Sequence, residues 1–246
     1  MDQGSNQPTG RAHAYALLRT ILGSAVLDGL LPADPCHICG ASASSRKHRI
    51  EPATLPQLEL IISNMPEQYE LMILLASWCA LRFGELTELR RGDVDLSHAR
   101  VRVTRGVTWI DGKPTIGPPK STAGIRDVSI PPHLTSAVRQ HLHGHVGWGK
   151  DALLFSTANG EQIGRGGAFQ NHWEPARKAA GRDDLRFHDL RHTGAVMAAQ
   201  SGATIAELMG RLGHATPAMA IRYQHVAQGR DEEIARRMSE MIKVAQ

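Results

Sequence analysis

Four side chains within FHDLRHTGAVMAAQSGATIAELMGRLGHATPAMAIRYQHV, residues 187 to 226, could do chemistry together: His188, Arg191, His214 and Tyr223. An imidazole can move a proton or donate to an anion, a guanidinium carries fixed positive charge, and a phenol can act as a nucleophile. The ordinary pKa of a phenol is about 10, so attack at neutral pH needs both a base and nearby positive charge. None of the four is diagnostic alone. On a helix that starts at Phe187, His188 and Arg191 lie one turn apart on one face and can reach one anionic group. Asp189 and His192 are expected to point elsewhere and to serve the structure.

The elements that must position these groups are short and well punctuated. Thr204 and Glu207 form a capping box, and Gly213 stops the helix they open. This fixes His214 at a helix end, with a donor free for an anion. Thr216-Pro217 then reads as an N-cap followed by proline at the first helical position, launching a short helix that carries Tyr223. Taken singly, such a tyrosine is a packing residue.

The frame LGH-x-T-x-x-x-A-x-x-Y-x-H-V, preceded by His-x-x-Arg at the start of a helix, resembles the C-terminal half of the tyrosine recombinase (phage integrase) active site. That family also keeps a first arginine in Leu-Arg-x-x-Glu, followed by Leu and a hydrophobic-Asp stretch. The segment from Ala80 to Val94, ALRFGELTELRRGDV, has this form, which makes Arg82 the first arginine and Glu85 its orienting partner. The family lysine sits on a mobile hairpin loop. Lys120, in PPKSTAG before a strand ending at Pro131, holds that place better than Lys113, which lies beside the preceding turn; the alternative for Lys120 is a solvated loop lysine.

The resemblance implies strand transfer on double-stranded DNA without metal, ATP or any other cofactor. Tyr223 would attack a phosphate and leave a 3′-phosphotyrosyl bond and a free 5′-hydroxyl. Arg82, Arg191 and His214 would meet the charge of the transition state, Lys120 would protonate the leaving oxygen, and His188 would handle the Tyr223 proton. It further implies a homo-tetramer on two DNA sites, a Holliday junction intermediate and accessory DNA-bending proteins, with a monomer when free. A type IB topoisomerase uses the same chemistry and is the rival enzyme. A DNA-binding remnant without activity is the rival outside catalysis.

Composition fits such a reading. Of 28 basic residues among 246, six are lysine, so the formal charge of +4 and pI near 9.2 come from arginine, which binds phosphate oxygens two at a time. Hydrophobic content of 41% and aromatic content of 4% favour helices packed by Leu, Ala, Ile, Val and Met. No segment reads as a signal peptide, and the longest apolar run, Leu71 to Ala76, is too short to span a bilayer. Three cysteines, Cys36, Cys39 and Cys79, suit a reducing cytoplasm. Cys36 and Cys39 form a CxxC with only His48 nearby, which reads as loop thiols rather than zinc. His141, His143 and His145 are two apart on a helix and face away from one another, so they are not read as a metal site.

Along the chain, residues 11 to 29 read as an amphipathic helix closed by Gly29, similar to the last helix of the family's core-binding domain. A shortened form is therefore expected, with residues 1–35 standing for that domain and 36–53, including the basic run Arg46 to Arg49, as a linker. A catalytic domain over 54–246 follows. It opens with a Thr54–Gln57 capping box, passes an apolar helix over 67–81, a strand over 100–110 and two more around Lys120, and ends in a charged helix over 231–243. The expected class is mainly α with a small antiparallel β-sheet, the α+β fold of the tyrosine recombinase catalytic domain.

Overall fold

A computed structural model of the chain describes residues 8–43, 51–164, 166–224 and 235–236. It divides into two compact units, residues 1–49 and 50–246. The expected basic run at 46–49 lies outside the described residues, and so does the C-terminal helix over 231–243 apart from residues 235–236.

In the first unit, helix α1 (Pro8–Leu27) begins one turn earlier than the sequence pattern indicates. Gly29 ends it at φ 72°. The Gly29 N–H bonds the Val26 carbonyl and the Leu30 N–H bonds the Ala25 carbonyl, a paired closure that only a left-handed residue allows. Leu17, Leu18 and Ile21 on this helix are exposed.

The second unit is helical around two small antiparallel sheets. Helices α2 (Leu55–Ser63), α3 (Glu67–Trp78) and α4 (Phe83–Leu86) come first. Strands β1 (Val94–Asp95), β2 (Arg100–Val103), β3 (Gly106–Ile110), β4 (Lys113–Gly117) and β5 (Arg126–Ser129) follow, and then helices α5 (Thr135–Gly144), α6 (Ala168–Ala179), α7 (Phe187–Gln200), α8 (Ile205–Leu212) and α9 (Pro217–Gln224). The Thr54 capping box that opens α2 is formed with both of its hydrogen bonds. No helix among the described residues is long and apolar enough to cross a membrane.

The single strand expected over 100–110 is instead two, and they belong to different sheets. β2 pairs with β1 and β5, while β3 pairs with β4 alone. The alternation that buries Val101 and Val103 would place Arg105 inward as well. Arg105 is accommodated there by Glu88, whose side chain is fully buried, and by Asp93 at 2.7 Å. Immediately after it the backbone of Gly106 runs against α4, where a Cβ on Gly84 would collide with the Val107 carbonyl. The chain thus leaves one sheet and starts another.

The core joins α2, α3, α5 and α6 to the inner faces of β2 and β5 through residues such as Leu58, Met72, Val101, Val128, Val138 and Trp173. Helix α7 lies along α3 at Gly194, where any Cβ would strike the Ser77 carbonyl. Of the three nearby histidines, His141 is buried with its Nε2 2.7 Å from the Leu154 carbonyl and its ring 5.0 Å from Phe155. Burial lowers its pKa, so it is a packed core imidazole.

Candidate active site

Arg82 and His188 are held by their neighbours in sequence. Phe83, next to Arg82, and Phe187, next to His188, stand edge to face with ring centroids 5.2 Å apart, and Phe169 and Trp173 each lie 5.4 Å from Phe187. The apolar contact sets the starts of α4 and α7 side by side, each following an extended N-cap. Asp189 is buried in the first turn of α7, where its carboxylate accepts the Arg186 backbone N–H at 2.8 Å.

Glu85 organises Arg82. Its Oε2 accepts the Arg82 backbone N–H at 2.9 Å and its Oε1 accepts Arg82 Nη1 at 2.6 Å. Burial alone would raise this carboxyl; hydrogen bonds and charge from Arg126, then from Arg82, outweigh it and hold the pKa below the ordinary value. The other end of the Arg82 fork, Nη2, donates to the Gly213 carbonyl at 3.0 Å.

Arg191 is buried and reaches the adjacent residue. Its Nη2 donates to the Leu212 carbonyl and its Nη1 to the Ala80 carbonyl at 2.5 Å. No carboxylate lies at ion-pairing distance from it among the described residues. Burial, then the charges of Arg82 and Arg126, push it down to about 9, so it remains cationic at neutral pH. Carbonyl acceptors stabilise the guanidinium through hydrogen bonds but leave its charge unneutralised.

His214 completes the cluster. α8 opens on the Thr204–Glu207 capping box and ends at Gly213 with φ 63°, as its sequence implies, and the His214 N–H closes the turn on the Met209 carbonyl at 3.0 Å. Its ring is buried, and Nδ1 has no hydrogen-bond partner among the described residues. Burial, then Arg191, Arg82 and Arg126, push its pKa down to about 4, so at neutral pH it is a neutral imidazole with one N–H to offer.

A cleft of about 590 Å³ opens beside this cluster, lined by Arg82, Lys120 and His188 together with Arg105 and Trp109. Lys120 is exposed, on the link between β4 and β5. Arg82 is therefore common to two groupings: the cleft with Lys120 and His188, and the turn of α8 with Arg191 and His214.

Tyr223 is placed differently. It is absent from the lining of the cleft and packs, 8% exposed, with Ala80, Ala195, Leu208, Leu212 and Ala220. Its hydroxyl is hydrogen bonded to His192 Nδ1. The expectation that His192 points away is thus corrected: four residues is about 400° of helix, so His192 stands on the His188 side of α7, with the two rings edge to face at 5.3 Å. The signal was present in the spacing. Arg126 and Arg105 were also passed over, because a basic residue on a strand reads as solvated until its buried carboxylate partner is found.

Comparison with known proteins agrees with this architecture. Residues 49–230 match the model of the Phage integrase family. The chain is 51% identical over 238 residues to a prophage phiRv2 integrase of Mycobacterium tuberculosis, covering 96% of this chain and 63% of that protein. It is 40% identical to the integrase of Mycobacterium phage FRAT1, covering 98% of this chain and 73% of the relative. Among solved structures, the Tn1549 transposon integrase in complex with transposon right end DNA superposes with a TM-score of 0.75 at 20% identity, covering 94% of this chain and 78% of that one. At this identity the likeness speaks for the fold, that of tyrosine recombinase catalytic domains. The chain belongs to the phage integrase family.

Proposed function

We propose that the chain is the strand-transfer part of a site-specific recombinase that breaks and rejoins double-stranded DNA through Tyr223. The observation that carries this reading is the meeting of Arg82 and Arg191 on the consecutive carbonyls of Gly213 and Leu212, with His214 next in the chain. Two fixed cations and a neutral donor at one helix end suit the extra charge on the non-bridging oxygens of a phosphodiester under attack.

In this mechanism the Tyr223 oxygen bonds to phosphorus as its proton passes to His192 Nδ1, and the bond from phosphorus to the 5′ oxygen breaks. Lys120, on the rim of the cleft, gives that oxygen a proton, and His188 offers its N–H to a non-bridging oxygen. The 5′-hydroxyl of a second strand then attacks the phosphotyrosine and reverses each step. Bond energy is conserved, so neither ATP nor metal is needed. The reaction runs in a homo-tetramer on two duplexes, with the protein in the cytoplasm on its DNA. Helix α1 serves as the last helix of a core-binding domain, joined by a linker to the catalytic domain over 54–246.

The test is a pool of nicked duplexes with a randomised core, incubated with the protein. Covalent adducts are recovered and sequenced, and the linked tyrosine is identified by mass spectrometry. Adducts on Tyr223, together with resolution of synthetic Holliday junctions by the free protein, support the reading. A Tyr223→Phe protein that still forms them sinks it, and relaxation of plasmid without junction resolution assigns a topoisomerase instead.

A further inference from the structure

Arg126 stands on β5, six residues after Lys120, and its side chain is 5% exposed. Its guanidinium spans three segments of the site. Nη1 and Nη2 donate to Glu85 Oε1 and Oε2 at 3.0 and 2.9 Å. Nη1 also donates to the Gly124 carbonyl at 3.0 Å, and Nε donates to the Arg211 carbonyl at 2.8 Å. Glu85 is the residue that orients Arg82, Gly124 closes the loop that carries Lys120, and Arg211 lies one residue before the Leu212–His214 turn.

The surroundings are close-fitting at each contact. A Cβ at Gly124 would strike Pro119, the neighbour of Lys120. A Cβ at Gly213 would stand 2.9 Å from the Ala123 carbonyl and 3.1 Å from Arg126 Nη1. Loop, guanidinium and helix end are thus in van der Waals contact where no side chain fits between them. A planar fork can serve these acceptors together, whereas an ammonium, as a point charge, cannot.

We infer that Arg126 is a positioning residue that locks the Lys120 loop to the Arg82–Glu85 pair, so that proton donor and charge donor are aligned by one guanidinium. The inference rests on the strand-transfer reading above. Buried from solvent, Arg126 acts by holding Lys120 in place against the Arg82–Glu85 pair rather than on DNA.

A sulfur substitution separates this role from a merely structural one. When the 5′ bridging oxygen is replaced by sulfur, the bond from phosphorus to sulfur breaks and a thiolate leaves. Thiols ionise with a pKa of about 8.5, far below alcohols, so no proton donor is required. The probe is the duplex selected from the randomised pool, made with oxygen or sulfur at the scissile position. The proteins are the parent, Lys120→Ala, Arg126→Gln and Arg126→Lys, each checked by thermal melting. On the oxygen duplex, Arg126→Gln is expected to form adduct at least about 100-fold more slowly than the parent, as a misplaced general acid would. On the sulfur duplex it is expected to recover most of that loss, as Lys120→Ala does. Arg126→Lys, which keeps the charge and loses the bridge, is expected to show the same recovery and stands in if the glutamine variant does not fold. Parent-like cleavage of the oxygen duplex by folded variants overturns the inference, as does an equal loss on both duplexes. A parent that cleaves neither duplex overturns the strand-transfer reading, and the inference with it.

Discussion

The Tyr223 hydroxyl and His192 Nδ1 share a hydrogen bond across 31 positions of sequence, from α9 to α7. On the strand-transfer reading this pairs the nucleophile with a base, off the lining of the cleft that holds Arg82, Lys120 and His188. A base acting on the attacking hydroxyl contributes roughly 10²–10⁴-fold to a rate. His192→Gln keeps a polar partner for the phenol and removes the base. It is expected to slow adduct formation by about that range. His188→Gln, which leaves the partner of Tyr223 in place, is expected to slow it less. Single-turnover adduct formation checks both, and a His192→Gln protein as fast as the parent would return the proton to His188.

Arg191 is a buried cation held by the Ala80 and Leu212 carbonyls, and on the strand-transfer reading that arrangement sets activity against stability. Its replacement by methionine removes a desolvated charge that no carboxylate among the described residues compensates, which favours the fold. It also leaves the Ala80 and Leu212 carbonyls without their donor, at a cost of roughly 1–3 kcal/mol each. The two effects oppose one another, so the melting temperature of Arg191→Met is expected to stay near that of the parent, while adduct formation falls about 10²–10³-fold. Calorimetry beside single-turnover cleavage checks it; a protein that melts much lower would show that the guanidinium is chiefly a structural prop.

Part of the candidate site could be read from residue order because His214 and Tyr223 follow punctuated helix ends. The box at Thr204–Glu207, the stop at Gly213 and the proline at 217 are local signals, and each marks an end that the structure has. What could not be read are the partnerships made across the fold. Arg126 meets Glu85 from 41 residues away, and nothing in the order of residues announces that pair. The break between β2 and β3 is of the same kind, since the alternation continues through Arg105, and its partners Glu88 and Asp93 and the contact of Val107 with Gly84 are made across the fold. His192 is the exception: its helical spacing from His188 was legible, and the tyrosine it meets was already singled out.

His214 carries its own pH signature. Its folded pKa of about 4 lies below the ordinary 6.5 of an imidazole, so between those values the unfolded chain binds the proton and the folded one does not. Stability from this group is full above pH 6.5 and is lost as pH falls toward 4. Other groups titrate in the same window, so the difference between two proteins is the measure. His214→Gln is expected to lose less melting temperature than the parent on acidification from neutral pH to about pH 4.5. Parallel curves for the two proteins would mean that the buried imidazole accepts a proton without cost.

Two glycines in neighbouring helices should respond to the same substitution with opposite sign. Gly194 lies where α7 crosses α3, and a Cβ there meets the Ser77 carbonyl, with Ala80 Cβ at 3.2 Å; backbone on the far side cannot yield as a side chain would. Overpacking of this kind costs roughly 1–3 kcal/mol. In a domain of this size each kcal/mol lowers the melting temperature by roughly 2–4 °C. Because α7 carries His188, Arg191 and His192, a shift of the helix also moves the base and the buried cation, so Gly194→Ala is expected to lose adduct formation even at temperatures where it is folded. Gly210 on α8 is exposed, and a Cβ there meets nothing within 4 Å. Alanine at that position gains about 1 kcal/mol of helix propensity, so Gly210→Ala is expected to melt higher than the parent with unchanged cleavage. Thermal melts of the two variants, each beside its cleavage rate, decide the matter. A Gly194→Ala protein as stable and active as the parent would show that α3 and α7 are spaced more loosely than their contact at Ser77 requires.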